Sequence, residues 1–80
     1  MSNYERLIFL AKETDTQSTP QKISELNELL SSQDVNDIKD NDLQIIDDLI
    51  SILSNTNNLL PEKQEFVINL QENIRSRIHQ

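Results

Sequence analysis

The fold class is decided by residues 43–53, which read LQIIDDLISIL. At about 100° per residue around a helix, the leucines and isoleucines of this stretch cover roughly half of the cylinder. The polar side chains of the stretch occupy the opposite side. An apolar arc of that width contacts more than one neighbouring element, so we expect this helix to lie at the centre of a helical core.

Two helices are predicted before this stretch, because apolar residues recur at spacings of three and four. The first covers residues 3–13 behind a capping box of Ser2 and Glu5. The second begins at Pro20, behind a Thr19 cap. Their inward-facing residues are expected to be Tyr4, Leu7, Ile8 and Ala11 in the first helix and Ile23, Leu26, Leu29 and Leu30 in the second.

The third helix, which contains residues 43–53, is expected to begin near Asn41, with Gln44 completing its cap. A fourth helix has Pro61 in its first turn and runs to about residue 78. Its inward residues are expected to be Phe66, Val67, Leu70, Ile74 and Ile78. The pattern predicts one domain with an all-α fold, a small antiparallel up-down bundle of four helices. The alternative is a three-helix core with a loosely docked N-terminal helix.

The chain contains no glycine and no cysteine, and its one histidine is His79. Phosphate loops and dinucleotide-binding turns need glycine, so nucleotide binding of that kind is excluded and no cofactor is expected. The lack of cysteine fits a reducing compartment. No segment approaches a membrane span, and residues 1–6 lack the features of a secretory signal. We therefore expect a cytoplasmic protein whose lone histidine binds no metal.

The net charge of −7 is concentrated in the middle of the chain. Residues 1–22 contain three acidic and three basic side chains, and residues 61–80 contain the same numbers. Between Ile23 and Leu60, eight carboxylates face Lys39 alone. Six of the eight are aspartates in one stretch: Asp34, Asp37, Asp40, Asp42, Asp47 and Asp48. These aspartates are the main candidates for a partner-binding region.

Three interpretations of the aspartates compete. Aspartate is common in turns and first helical turns, so a solvated connection is the simplest. A calcium loop fails on spacing: counting from Asp40, Ile45 stands where the EF-hand loop has its glycine and Ser51 where it has its glutamate. The third is a recognition surface for a basic protein, including one in which carboxylates imitate nucleic-acid phosphates. Direct nucleic-acid binding is not expected, because the phosphate backbone needs basic contacts.

No side chains indicate catalysis, and we expect that the protein is not an enzyme. Asp47 and Asp48 are adjacent carboxylates, but both are expected on the polar arc in water, without the burial that a catalytic carboxylate needs. Two apolar residues lie outside their helical stripes: Phe9, about 140° from Tyr4, and Ile68, which falls among polar residues. Exposed apolar residues can mark a contact surface, so both join the candidate partner-binding residues.

Two short runs resemble known families. Residues 59–62, LLPE, with Phe66 and Leu70, are similar to the last helical hairpin of small bacteriocin-immunity proteins, which are four-helix bundles that protect a producer cell. A second resemblance is to small enterobacterial biofilm regulators that act as connectors in two-component signalling, and the residues that carry it are Ile45, Ile46, Leu49, Ile50, Leu53 and Thr56. Both resemblances imply a small helical protein that acts by binding another protein.

The residues thus predict a small acidic binding module that regulates, inhibits or bridges a partner protein with a basic surface. In this hypothesis the aspartates steer the encounter, and exposed apolar residues are buried in the contact. The alternative is a structural homo-oligomer in which the apolar stripes of the third and fourth helices pack between copies.

Overall fold

A computed structural model describes residues 2–13 and 19–79, and within these ranges the chain is helical and has no strand. The predicted all-α fold with four helices is confirmed. The helices are α1 (Asn3–Lys12), α2 (Pro20–Ser31), α3 (Leu43–Asn55) and α4 (Pro61–Ile78). Two short 3-10 turns, Val35–Asp37 and Asp40–Asp42, lie in the α2–α3 connection.

The starts of α1 and α2 follow from the predicted capping chemistry. Ser2 and Glu5 form a reciprocal capping box, in which each side chain reaches the other residue's backbone N–H. The Thr19 hydroxyl accepts the Lys22 N–H (3.1 Å), and Pro20 occupies the first turn, where a missing N–H is tolerated. Both helix starts therefore lie where the sequence predicts them.

The predicted cap of α3 by Asn41 and Gln44 is wrong, and the helix begins two residues after Asn41, near which its start is predicted. Asn41 lies in a 3-10 turn and α3 begins at Leu43. The Gln44 amide donates to the Asp48 carboxylate (2.9 Å) and takes no part in a cap. Aspartate and asparagine favour tight turns, so the run of these residues before Leu43 delays the regular helix.

α3 ends in a Schellman motif that is built without glycine. Asn57 has a φ of 58°, in the left-handed region that asparagine tolerates better than most residues. The Asn58 N–H donates to the Leu53 carbonyl (2.7 Å), and the Asn57 N–H donates to the Ser54 carbonyl (3.2 Å). The chain then turns directly into α4.

The core lies between the four helices. α3 packs against α1 and α4, and α2 packs against the same two helices. The α2–α3 connection therefore crosses one end of the bundle and does not join packed neighbours, unlike the short connections of a simple up-down bundle. The buried apolar residues are Leu7, Leu10, Leu26, Leu29, Leu30, Ile38, Leu43, Ile46, Leu49, Ile50, Leu53, Val67, Leu70 and Ile74.

The N-terminal helix belongs to this core. Leu7 is fully buried. Leu10, which is not part of the predicted inward-facing stripe, is almost fully buried as well. Tyr4, Ile8 and Ala11 pack against the core while partly exposed. The alternative of a three-helix core with a loosely docked first helix is therefore wrong.

Two predicted side-chain positions are also wrong. Phe66 was expected to face inward but is 65% exposed, because α4 packs along an arc centred on Val67 and Ile74 and Phe66 lies about 100° from Val67. Asp47 was expected in water but is buried, at 8% exposure. Most of the apolar residues of α3 and α4 are buried within one chain, whereas Ile52 (46%) and Phe66 are exposed, so packing between copies stays a prediction.

Candidate interaction surface

Asp47 is the centre of a buried polar cluster between α3 and α4. Its Oδ1 accepts from Gln71 Nε2 (2.9 Å) and from Arg75 Nε (3.1 Å). The Ser51 hydroxyl accepts from the same two side chains, and Gln71 is itself buried. Because buried polar groups are hydrogen-bonded in stable folds, this cluster stabilises the α3–α4 contact, and it leaves little of Asp47 exposed to a partner.

Arg77 organises the α2–α3 connection. From the last turn of α4, its guanidinium donates to the backbone carbonyls of Val35 and Ile38 and pairs with Asp40. The Asp40 side chain remains 86% exposed, whereas that of Arg77 is 27% exposed. Asp40 is therefore visible to solvent, but its charge is compensated within the chain.

Asp34 and Asp42 also have internal partners. Asp34 accepts the Asn36 N–H (2.9 Å), which caps the first 3-10 turn. Asp42 accepts the Tyr4 hydroxyl, and the Tyr4 oxygen accepts the Lys39 N–H (3.1 Å). Burial, followed by the hydrogen bond to Asp42, raises the pKa of the Tyr4 phenol above its usual value, and the Lys39 N–H opposes this rise.

Asp37 and Asp48 are the aspartates left facing water. Both are exposed, and among the described residues neither pairs with a cation. Within residues 2–13 and 19–79, the one side-chain hydrogen bond to Asp48 comes from the Gln44 amide. The structure thus does not gather the six aspartates into one free carboxylate patch, since four of them hold the fold together. Whether any of the six binds a partner stays a prediction.

The cations of α4 all pair with carboxylates of other elements. Lys63 pairs with Glu28 (3.5 Å), Arg75 with Asp47 (3.1 Å) and Arg77 with Asp40. The three glutamates of the same helix are therefore left without these cations as partners. Within the described part of the chain, no ion pair or side-chain hydrogen bond engages Glu62, Glu65 or Glu72.

Helical geometry places these glutamates on the solvent side of α4. At about 100° per residue they share an arc of roughly 120° with Phe66 and two asparagines. We call this arc the α4 outer face; it consists of Glu62, Glu65, Phe66, Asn69, Glu72 and Asn73, all exposed. The face therefore combines three uncompensated negative charges with an exposed aromatic ring.

A shallow groove of about 280 Å³ runs beside Phe66, between α4 and the end of α2. Its lining includes Gln33, Asp34, Val35, Phe66, Asn69 and Asn73. The amide side chains offer hydrogen-bond donors and acceptors, and no lysine or arginine lines the groove. The lining of the groove is therefore similar in composition to the α4 outer face: it is acidic, partly apolar and without a cation.

The two apolar residues predicted to be exposed differ from each other. Phe9 is 42% exposed and lines a separate depression on α1. Ile68 is partly buried, so it offers less surface than expected. Sequence reasoning missed Phe66 and the glutamates of α4, although a helical wheel drawn around Val67 as the buried centre would place them outward.

Two further features of the surface are an ion pair between α1 and α2 and the lack of a metal-binding cluster among the described residues. Arg6 donates to Glu25 through two nitrogens (3.0 and 3.2 Å), and this contact lowers the pKa of the Glu25 carboxyl below its usual range. Among the described residues no group of three or more histidine, aspartate or glutamate side chains is arranged to hold a metal ion.

Fold and surface together define a small acidic all-α protein with an aromatic ring set in an acidic helix face. Comparison of the chain with protein-family models, with curated proteins and with solved structures gives no match. No helix in residues 2–13 and 19–79 is long and apolar enough to cross a membrane. What the chain does must be inferred from the chemistry of its surface.

Proposed function

We propose that the chain is a non-enzymatic protein-binding module, a regulator, inhibitor or adaptor that binds a basic partner through the α4 outer face. One observation carries the proposal. The cations of α4 neutralise carboxylates of other elements, which leaves Glu62, Glu65 and Glu72 uncompensated around the exposed ring of Phe66. An aromatic anchor with a charged rim is the usual composition of a protein-binding hot spot.

Phe66 supplies the apolar anchor. The ring is 65% exposed in the free protein, so most of its area is left to be buried in a complex. Truncation of an anchor at the centre of an interface typically costs about 2 kcal/mol or more in binding. The groove beside the ring accepts an apolar side chain of the partner, while the Gln33 and Asn69 amides bind its polar groups.

The glutamates supply the charge. Because Glu62, Glu65 and Glu72 have no ion pair with the described residues, lysine or arginine of a partner binds them without competition from that part of the chain. Asp40 and Asp47 differ in this respect, since each is held by an arginine of α4. Changing those two would therefore mix a loss of stability with any loss of binding.

The test compares two variants with the same change in net charge. The outer-face variant is Glu62→Gln, Glu65→Gln and Glu72→Gln. The control variant, Glu13→Gln, Asp37→Asn and Asp48→Asn, changes exposed acidic residues elsewhere. Immobilised wild-type and control proteins are expected to retain the same partner from a lysate of the source organism, and the outer-face variant is expected to lose it.

The purified partner then allows the two contributions to be separated. Phe66→Ala is expected to raise Kd about 30-fold, which corresponds to about 2 kcal/mol. The outer-face variant is expected to lower the association rate about tenfold at low salt and less at high salt, because added ions screen exposed charges. Full retention by the outer-face variant would overturn the proposal, and loss by the control alone would assign binding to the surfaces that carry Glu13, Asp37 and Asp48.

A further inference from the structure

The groove beside Phe66 is lined by side-chain amides that have no partner in the described part of the chain. Asn69 and Asn73 line it from α4, and Gln33 lines it from the segment after α2. Within residues 2–13 and 19–79, no hydrogen bond engages these three amides. Because each amide has a carbonyl that accepts and an NH₂ group that donates, the groove offers both kinds of hydrogen bond to a ligand.

Asn69 and Asn73 stand one turn apart on the same side of α4. Four residues of a helix correspond to a rise of about 6.0 Å. In an extended chain, every second residue directs its N–H and C=O to the same edge, and such residues repeat at about 6.6–6.8 Å. The two amides therefore match the main chain of an extended segment that runs along α4. A helical segment does not offer these groups, because its N–H and C=O groups are bonded to each other.

The charged side chains around the groove are acidic. Asp34 is the charged residue of its lining, and the backbone N–H that it accepts leaves its negative charge in place. On α4, Glu65 lies one turn before Asn69, and Glu72 directly precedes Asn73. None of the three carboxylates has an ion pair among the described residues, whereas each cation of α4 has a carboxylate partner. The groove therefore complements a segment that carries positive charge.

We propose that the groove binds an extended basic segment of the partner protein. Asn69 and Asn73 bond to its main chain, and its apolar side chains cover Phe66 and Val35. Its lysine or arginine side chains pair with Asp34 on one side and with the glutamates of α4 on the other. This inference rests on the function proposed for the α4 outer face, and it specifies the conformation of the bound segment.

The probe is a fluorescein-labelled, acetylated nine-residue peptide in which lysine alternates with valine, because β-branched residues favour an extended chain. Fluorescence anisotropy measures its binding to the full chain. The test variant is Asn69→Ala with Asn73→Ala. The matched control, Asn55→Ala with Gln64→Ala, removes two exposed amides elsewhere. The test variant is expected to raise Kd at least about tenfold, since each net hydrogen bond is worth about fivefold, and the control less than about twofold.

Methylated peptides test whether the main chain is what the amides recognise. N-methylation of the valines removes the N–H groups from one edge of the extended peptide, and N-methylation of the lysines removes them from the other edge. The wild-type chain is expected to bind at least one of the two peptides about tenfold more weakly. For that peptide, the test variant is expected to raise Kd by less than about threefold further, because the bond is already lost.

The outcomes separate this inference from the proposed function. Equal Kd values for the test and control variants would overturn the inference, and weaker binding by the outer-face variant alone would leave the proposed function standing. Tighter binding of a stapled helical peptide of the same charge would overturn the extended conformation. So would failure of the wild-type chain to bind the alternating peptide. The proposed function is decided separately, by retention of the native partner from the lysate.

Discussion

Asn27→Ala is expected to lower the free energy of unfolding by about 2–4 kcal/mol. The Asn27 side chain is fully buried, at 0% exposure. Its Nδ2 donates to the carbonyls of Ile23 (2.8 Å) and Asn58 (2.9 Å), and its Oδ1 accepts the Leu60 N–H (2.9 Å). One side chain on α2 therefore fixes the α3–α4 connection at two backbone groups.

The magnitude follows from these three bonds. Each has a net value of about 1 kcal/mol, and a backbone group left dry without a partner costs about 1–3 kcal/mol. Water that enters the vacated space recovers part of that cost, so the total lies near the value of three bonds. A chain of this length has a total stability of about 4–12 kcal/mol, so the variant is expected to lose a large fraction of it.

Urea unfolding followed by far-ultraviolet circular dichroism measures the effect. With an m-value of about 1 kcal/mol/M, the midpoint is expected to fall by about 2–4 M. Asn69→Ala is the matched control, because Asn69 is exposed on α4, and its midpoint is expected within about 0.5 M of wild type. Asn27→Asp keeps an acceptor for Leu60 but sets an oxygen against the Asn58 carbonyl, so it is expected to destabilise the fold at least as much.

The result that refutes this reasoning is a midpoint for Asn27→Ala close to that of the Asn69 control, with the same m-value. In that case the α3–α4 connection would be held by its own Schellman turn. Asn27 would then fill space beneath the connection without contributing its hydrogen bonds to stability.

Two further predictions concern titration and the buried cluster. Tyr4 is the one tyrosine of a chain without tryptophan, so tyrosinate absorbance reports it directly. Because burial and Asp42 raise the pKa of Tyr4, the folded protein is expected to form tyrosinate at higher pH than the protein unfolded in urea. The neutral phenol therefore stabilises the fold below about pH 10, and this contribution is lost as the pH rises through the folded pKa. Titration curves that coincide for the folded and unfolded protein contradict this prediction. Asp47→Ala is expected to lower the free energy of unfolding by about 1–3 kcal/mol, because the buried Gln71 amide loses an acceptor. The control, Asp37→Ala, is expected to lower it by no more than about 0.5 kcal/mol. Equal urea midpoints for the two variants contradict this prediction.

The helix starts that depend on neighbouring residues could be predicted from the sequence. The Ser2 capping box and the Thr19–Pro20 start are interactions within one turn, so their residues identify them. The order of packing could not be predicted in the same way. That the α2–α3 connection crosses the bundle depends on Ile38 reaching the core and on Arg77 of α4 binding the connection, which are contacts between distant segments.

The candidate surface shows the same division between local and distant information. Counting charges along the chain places the acidity between Ile23 and Leu60, because residues 61–80 balance. In space, the arginines of α4 neutralise Asp47 and Asp40, and Lys63 neutralises Glu28. Three of the negative charges that lack a cation partner among the described residues therefore lie on α4, a helix that is neutral when its charges are only counted.

The geometry of α4 explains why its cations pair with other elements while its glutamates remain unpaired, and it determines which variants can identify a binding surface. Lysine and arginine have long side chains, so a cation near the boundary of the buried arc can pair with a neighbouring element, whereas a glutamate that faces outward cannot. A variant designed from segment charge alone would change Asp40 and Asp47, and it would weaken the fold through Arg77 and Arg75. Loss of binding in such a variant would not identify a surface, whereas changing Glu62, Glu65 and Glu72 removes the same kind of charge without breaking an internal pair among the described residues.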